Sequence, residues 1–473
     1  MFHKEEFKRD ATEFISWVSE YLGDVENFPV RSQVSYGEIR KQLDAAPPAQ
    51  GESISTIFND FKEKLMPGIT HWQSPKYFAY FPANSSPPSV LAEMLTAALA
   101  VQGMKWITSP SATELEEQVC DWMRQMIGLP AEFSGVIQDT ASVATLCAIL
   151  AARERTTNYQ SNLKGLEGKV FRVYCSVEAH SSIEKAVRIA GIGSNNLVKI
   201  PVDENGRMIP EVLDTKIDED KNKGYIPICI VAALGTTGVC AVDPVDMIGN
   251  MALKHKIWLH IDAAFAGTAL ILPEFRETIL GLKKADSFVF NPHKWMFTNF
   301  DCSLFFVKDP KHLQNTFSLV PEYLQTRNDS ETNDYSNWGI HLGRRFRSLK
   351  LWFVIRNFGV EGIQKRLREH IDLAAYFEER ISQDTRFEIV VPRGLSVVCY
   401  RLKGREGQSL NDQNRMNAEL LERINSTGRI YISHTVFRGK YTLRLVPAQT
   451  NTEKKHVDEA LDVIFEMADK EYL

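Results

Sequence analysis

Four short segments carry residues whose type and setting allow chemistry. FNPHKW (290–295) follows the apolar run SFVF (287–290) and sets Lys294 between His293 and Trp295. A lysine in a low-dielectric pocket sheds its proton and can form a Schiff base. A solvated surface lysine is the ordinary alternative, but the apolar run and the neighbouring indole favour burial. HIDAAFAG (260–267) closes a second apolar run with Asp262, and the small Ala264 follows. A carboxylate there can keep a pyridine nitrogen protonated, and Ala264 leaves room for a flat ring. A plain helix cap is the alternative for Asp262. Thr140, Ala141 and Ser142 precede a helical stretch. Hydroxyls and free N–H groups at a helix start suit a phosphate, and they equally make an ordinary capping box. His180 lies in EAHSSIEKA (178–186), between a strand and a helix, where an imidazole can cover a ring. A lone histidine is more often structural.

Taken together, an imine-forming lysine, a pyridinium carboxylate, a phosphate cradle and a stacking imidazole meet the needs of one cofactor, pyridoxal 5'-phosphate. A nicotinamide site fits poorly, because GIGSNN (191–196) lacks the third glycine of that fingerprint. No Walker A sequence occurs. The seven cysteines are scattered, with no CxxC pair, so neither a zinc site nor a disulfide framework is expected, and no metal is assigned. With 55 Lys+Arg against 60 Asp+Glu, the chain is not built for nucleic acid. The longest apolar stretch, Val90 to Val101, is broken by Glu93 and falls short of the roughly 20 residues that span a bilayer, so no membrane partner is expected. The charged start MFHKEEFKRDATEF does not read as a signal peptide, and the expected setting is the cytoplasm.

These residues need a scaffold. Apolar, β-branched runs at 170–176, 197–202, 227–233, 257–262, 287–290 and 302–307 alternate with helical segments. That alternation predicts an α/β fold with a largely parallel open sheet, whose ligands bind beyond the carboxyl ends of the strands. Phe7, Ala11, Phe14, Ile15, Val18 and Leu22 recur at helical spacing, so the first 80 residues read as a mostly helical arm. The expected organisation is a helical dimerisation segment (1–80), a large cofactor domain (81–352) and a small C-terminal α/β domain (353–473). Within the last, a long helix is expected over 359–382. The polar run QTRNDSETND, with little to bury, makes 318–337 an expected flexible loop.

NPHKW, HIDAAFAG, QDTAS and AHSS, together with MPGITHWQSPKYFAYFPA (66–83), SPSATELEE (109–117) and LGRRFRSLKLWF (342–353), resemble the motifs of the pyridoxal-phosphate-dependent group II decarboxylases, in particular those acting on aromatic L-amino acids. The resemblance covers nearly the whole chain. It implies fold type I, the aspartate-aminotransferase-like fold, and a homodimer with shared active sites. By position it implies Lys294 as the Schiff-base lysine, Asp262 as the pyridinium partner and His180 as the stacking group. Thr140, Ala141, Ser142 and Asn291 resemble the phosphate ligands, and Thr237 in LGTTG a threonine beside the cofactor. His293 resembles a histidine facing the substrate, and Tyr323 in PEYLQ the tyrosine that returns a proton to the substrate carbon. Trp72, Tyr80, Phe81 and Pro82 resemble the aromatic side-chain pocket, completed by Gln102 and Met104 from a partner subunit and by Gly343.

The chain departs from the animal enzymes at Ala83, Gln102, Met104 and Phe265, which bear on the preferred ring. Decarboxylation of aromatic L-amino acids is the expected activity. Histidine decarboxylase is an alternative in which Gly343 tends to be serine. An aromatic aldehyde synthase is another, in which the loop tyrosine is phenylalanine. A glutamate-type enzyme needs a cation for the side-chain carboxylate, and FAYFP is apolar. A degenerate binding scaffold would have lost Lys294 or Asp262, and both are present.

Overall fold

A computed structural model describes residues 3–276, 280–319 and 332–472. The backbone divides into two compact units. One comprises residues 83–371 and 391–397, the other 1–82, 372–390 and 398–473.

The larger unit is built on seven strands: β1 (Ser134–Gln138), β2 (Phe171–Ser176), β3 (Leu197–Ile200), β4 (Ile226–Ala233), β5 (Trp258–Asp262), β6 (Ser287–Phe290) and β7 (Ser303–Val307). Their order is β1-β7-β6-β5-β4-β2-β3. β2 to β6 pair in parallel, whereas β7 runs antiparallel to both β6 and β1. β1 therefore points the same way as β6. Six of the seven strands had their apolar runs visible in the sequence. β1 had not, because SGVIQ is short and carries a glycine at its second position. A Cβ at Gly135 would lie 2.8 Å from Cys120 and Phe306, so the glycine lets β1 pack against the Pro110–Met126 helix.

The sheet is buried on both faces, as near-continuous apolar strands require. The Ala141–Thr156 helix lies against it, with Ala144, Thr145, Cys147, Ala148, Ile149, Ala151 and Ala152 all buried. Its small side chains allow close approach to the strands.

The smaller unit has β8 (Phe387–Ile389), β9 (Val398–Leu402), β10 (Ser433–Phe437) and β11 (Lys440–Leu445), antiparallel in the order β10-β11-β9-β8. Phe377, Tyr400, Leu420, Leu443, Val457 and Ile464 form its core with the Leu410–Ser426 and Lys454–Tyr472 helices. The amino-terminal residues belong to this unit. Phe78 donates its N–H to Tyr431 O at 2.8 Å, and Val30 donates to Gly428 O at 2.8 Å. The two units thus divide the chain differently from the three consecutive segments expected. Backbone hydrogen bonds join residues 30 and 78 to residues 428 and 431 near the carboxyl end, and no local pattern announces such long-range pairing. The expected boundary at 352/353 falls inside the Arg347–Gln383 helix, whose non-helical residue is Gly359 at φ 66°. The expected helix over 359–382 is the stretch beyond that break.

The polar segment 318–337 is anchored at its far end. Tyr335 and Trp338 are buried, and Asp334 pairs with the buried Lys105 at 2.8 Å. Tyr323 falls on 320–331 and lies outside the described residues. No helix among the described residues is long and apolar enough to cross a membrane.

Candidate active site

Because β1, β2, β4, β5 and β6 run the same way, their carboxyl ends open on one edge of the sheet. Thr140, Ala141 and Ser142 follow β1, His180 follows β2, and Thr237 follows β4. Asp262 ends β5, with Ala264 just beyond, and Asn291, His293 and Lys294 follow β6. The residues singled out for cofactor chemistry are thereby gathered on the edge where open α/β sheets bind ligands.

His180 lies within the electrostatic reach of both Asp262 and Lys294. Partial withdrawal from water lowers the pKa of His180, Asp262 opposes that shift, and Lys294 adds to it. Nδ1 of His180 accepts the backbone N–H of Ser182 at 3.2 Å and lies 2.8 Å from Ser182 Oγ. A backbone N–H can only donate, so the neutral ring carries its proton on Nε2. Asp262 Oδ1 accepts the N–H of Ala264 at 3.1 Å, which fixes the carboxylate at the strand end.

Lys294 is held by its surroundings on the short Pro292–Trp295 helix. Its N–H donates to Asn291 O at 2.9 Å, and the Asn84 side chain donates to its carbonyl. Trp295 is fully buried, stacks on Phe265 at 4.6 Å between ring centroids, and donates from Nε1 to His370 Nδ1 at 3.0 Å. Phe265 is thus a core residue, packed behind the lysine. His293 is buried beside Phe300, and its Nδ1 accepts the N–H of Cys302 at 2.9 Å. Burial, reinforced by Lys294, pushes its pKa down to about 3.

The Thr140 side chain caps the Ala141–Thr156 helix by accepting from Val143 N. The N–H groups of Ala141 and Ser142 stand at that helix start with no intrahelical acceptor to serve. Asn291 accepts from Ser303 Oγ through Oδ1, which leaves its amide N–H groups as donors. N–H donors at a helix start, a carboxylate, an imidazole and a half-buried lysine on one sheet edge fit pyridoxal phosphate.

The match to known proteins decides the family. Residues 37–403 match the model described as the pyridoxal-dependent decarboxylase conserved domain. The chain belongs to the pyridoxal-dependent decarboxylases. It is 43% identical to tryptophan decarboxylase 2 of Oryza sativa subsp. japonica, covering 98% of this chain and 95% of that protein. It is also 43% identical to phenylacetaldehyde synthase of Arabidopsis thaliana, over 96% of this chain and 94% of the other. The solved structure of Oryza sativa TDC with PLP and tryptamine superimposes with a TM-score of 0.96, at 33% identity and 99% coverage of both chains. Pyridoxal phosphate is the cofactor of this decarboxylase.

The residues expected to shape the decarboxylase's substrate pocket fall into two groups. Trp72, Tyr80, Phe81 and Pro82 lie in the smaller unit. There Trp72 stacks on Tyr77 at 4.5 Å, Tyr80 OH lies 3.2 Å from Tyr431 OH, and Arg444 covers the Phe81 ring. Gln102, Met104 and Gly343 lie in the larger unit. A Cβ on Gly343 would stand 3.2 Å from Gln102 Oε1, so these two are neighbours.

The basic residues of LGRRFRSLKLWF are engaged within the unit. Arg344 pairs with Glu116 at 2.5 Å, Arg347 with Asp301 at 2.9 Å, and the buried Lys350 with Glu93 at 3.0 Å. They hold the frame of the site. Sequence reasoning missed Asn84, Ser303, His260, Ser287 and Thr145, all polar and buried near the assigned residues. Small polar residues inside apolar runs were the available signal.

Proposed function

We propose that this enzyme removes the α-carboxylate of aromatic L-amino acids, releasing carbon dioxide and the amine. The observation that carries the reading is the gathering of Asp262, His180 and Lys294 at the carboxyl ends of β5, β2 and β6, in a chain of this family. The aromatic class is supported by the ring cluster around Trp72 and Tyr80 and by relatives named for tryptophan and tyrosine.

Bound pyridoxal phosphate supplies a conjugated pyridinium that takes up the electron pair left when the Cα–carboxylate bond breaks. Asp262 holds the proton at the pyridine nitrogen. Lys294 Nζ anchors the cofactor's aldehyde carbon. Thr140, the N–H groups of Ala141 and Ser142, and the Asn291 amide bind the phosphate, with Thr237 and Ala264 beside the ring. His180 covers one face of the ring and presents Nε2–H. Its lowered pKa keeps it uncharged near neutrality, so it adds no cation beside the protonated nitrogen. His293 faces the substrate as a neutral donor. The Tyr323 hydroxyl then delivers a proton to Cα, which completes the amine. Tyr323 favours the amine over the aldehyde made by phenylacetaldehyde synthases.

Two copies working as a homodimer suit the exposed apolar residues of the larger unit, Leu91, Leu95, Leu99, Ile107 and Leu342. Gln102 and Met104 would then complete a neighbouring pocket. Seven buried cysteines, none in a disulfide, go with a cytoplasmic setting.

Product analysis on tryptophan, tyrosine, Dopa, phenylalanine, histidine and glutamate tests the reading. Amine and carbon dioxide should form in equal amounts from several aromatic acids. A kcat/KM for histidine or glutamate above that of every aromatic acid overturns it.

A further inference from the structure

His260 lies two residues before Asp262, on the same face of β5, and is completely buried. Both ring nitrogens are engaged. Trp258 Nε1, which can only donate, gives its proton to Ser287 Oγ at 2.8 Å. Ser287 Oγ in turn lies 2.8 Å from His260 Nδ1, the acceptor within its reach. The imidazole proton therefore sits on Nε2, which donates to Thr145 Oγ1 at 3.2 Å. With the Ser287 hydroxyl donating to Nδ1, the chain runs from Trp258 through Ser287 and His260 to Thr145. Burial keeps the ring neutral against the pull of Asp262, with its pKa pushed down to about 4.

Each link joins elements that carry one part of the cofactor site. β5 ends in Asp262, and β6 begins at Ser287 and leads to Asn291 and Lys294. Thr145 stands one turn inside the helix that begins at Ala141. The spacing of β5 and β6 is already set by their ladder, in which His260 faces Ser287. The helix has no such ladder to the sheet. Apolar contact tolerates small slides, whereas a hydrogen bond from a rigid, packed ring does not. At the far end of the helix Arg155 pairs with Asp286 at 2.7 Å, and Asp286 also accepts from Leu259 N. His260 supplies the corresponding tie at the end that faces the cofactor.

We infer that His260 is a positioning residue, holding the phosphate-binding helix start at a set distance from Asp262 through Thr145. One ligand then meets its phosphate donors and its pyridinium carboxylate at once. The inference rests on the assignment of Thr140–Ser142 and Asp262 to the two ends of the cofactor.

Thr145→Val removes the hydroxyl and keeps the shape, and Thr145→Ser keeps the hydroxyl. The full chain, freed of cofactor, is titrated with pyridoxal phosphate and separately with pyridoxal, which lacks the phosphate and cannot bridge the two ends. Thr145→Val should weaken pyridoxal phosphate about tenfold, the loss of one buried hydrogen bond, and leave pyridoxal unchanged. Thr145→Ser should bind both within about threefold of the parent chain. Equal weakening of both ligands, or no weakening of either, overturns the inference. Should Thr145→Val lower the thermal midpoint of the cofactor-free chain, Ser287→Ala, which breaks the relay from the sheet side, must reproduce the selective loss of pyridoxal phosphate. If it does not, the inference fails. Mapping the borohydride-fixed peptide of the parent chain tests the underlying site separately, since attachment away from Lys294 would remove that assignment and not the Thr145 effect.

Discussion

Cys302 donates its backbone N–H to Nδ1 of His293 at 2.9 Å, and this bond decides what His293 can do. With Nδ1 accepting, the proton of the neutral ring is on Nε2, toward which a substrate can only accept. Burial and the neighbouring Lys294 hold the pKa near 3. His293 should therefore not set the acid limb of the pH–rate profile. Replacing it with asparagine should lower kcat and leave the apparent pKa of that limb where it was. A shifted limb would show that His293 titrates during turnover.

Asp262 is expected to act almost wholly on the transition state. Among the described residues its side chain bonds locally, to Ala264 N, so Asp262→Ala should fold with unchanged circular dichroism. Loss of the carboxylate that keeps the pyridine nitrogen protonated should cut kcat by roughly 10³-fold or more. Near-normal kcat in that variant would refute the role.

Two buried neutral histidines should make the protein sensitive to acid. Burial lowers His260 from 6.5 to about 4 and His293 from 6.5 to about 3. The unfolded chain then binds more protons than the folded one between the folded and unfolded pKa values. Stability is complete above about pH 6.5 and falls as pH drops toward 4, by on the order of 3 kcal/mol for His260 alone. Urea midpoints of the cofactor-free chain at pH 7.5, 6 and 5 should decline in that order. A midpoint that rises on acidification contradicts the burial of these rings as neutral groups.

The choice between amine and aldehyde is assigned to one oxygen atom. Tyr323→Phe keeps the ring and removes the hydroxyl that protonates Cα. Carbon dioxide should still form, while one oxygen and one water are consumed and aldehyde, ammonia and hydrogen peroxide appear in equal amounts. Amine production at the parent rate, without oxygen uptake, would move the proton donor elsewhere.

The placement of the proposed site's residues at strand ends was legible in the sequence. Lys294, Asp262 and His180 each follow an apolar strand, and strand ends are where α/β sheets do chemistry. Six strands announced themselves as β-branched runs. β1 did not, because its glycine serves a close contact with Cys120 and Phe306 that only the assembled sheet creates. The tie of Phe78 and Val30 to residues near the carboxyl end was equally hidden, since it depends on backbone groups more than 300 residues apart, Phe78 with Tyr431 and Val30 with Gly428. The polar chain through His260 was invisible for another reason. Trp258, His260 and Ser287 look like interruptions of apolar runs, and only their register across β5 and β6 makes them partners. The far end of the 318–337 segment looked free because its charges are its most obvious feature. Asp334 is in fact paired with Lys105, and Tyr335 and Trp338 are buried.

The antiparallel strand has a consequence for the order in which the chain is made. Among the described residues β1 pairs with β7 alone, Gln138 opposite Ser303 and Ser134 opposite Val307. As a nascent chain lengthens, β2 to β6 can add to one another as each emerges, but β1 has no ladder until residue 307 has left the ribosome. The turn from Gln138 to Thr140, which leads into the phosphate cradle, is therefore pinned after the strands that bear Asp262 and precede Lys294. A growing chain halted between Trp295 and Ser303 would hold Lys294 and Asp262 and still lack the pinned turn before Thr140, so under the proposed site the phosphate's seat is the last part to be fixed.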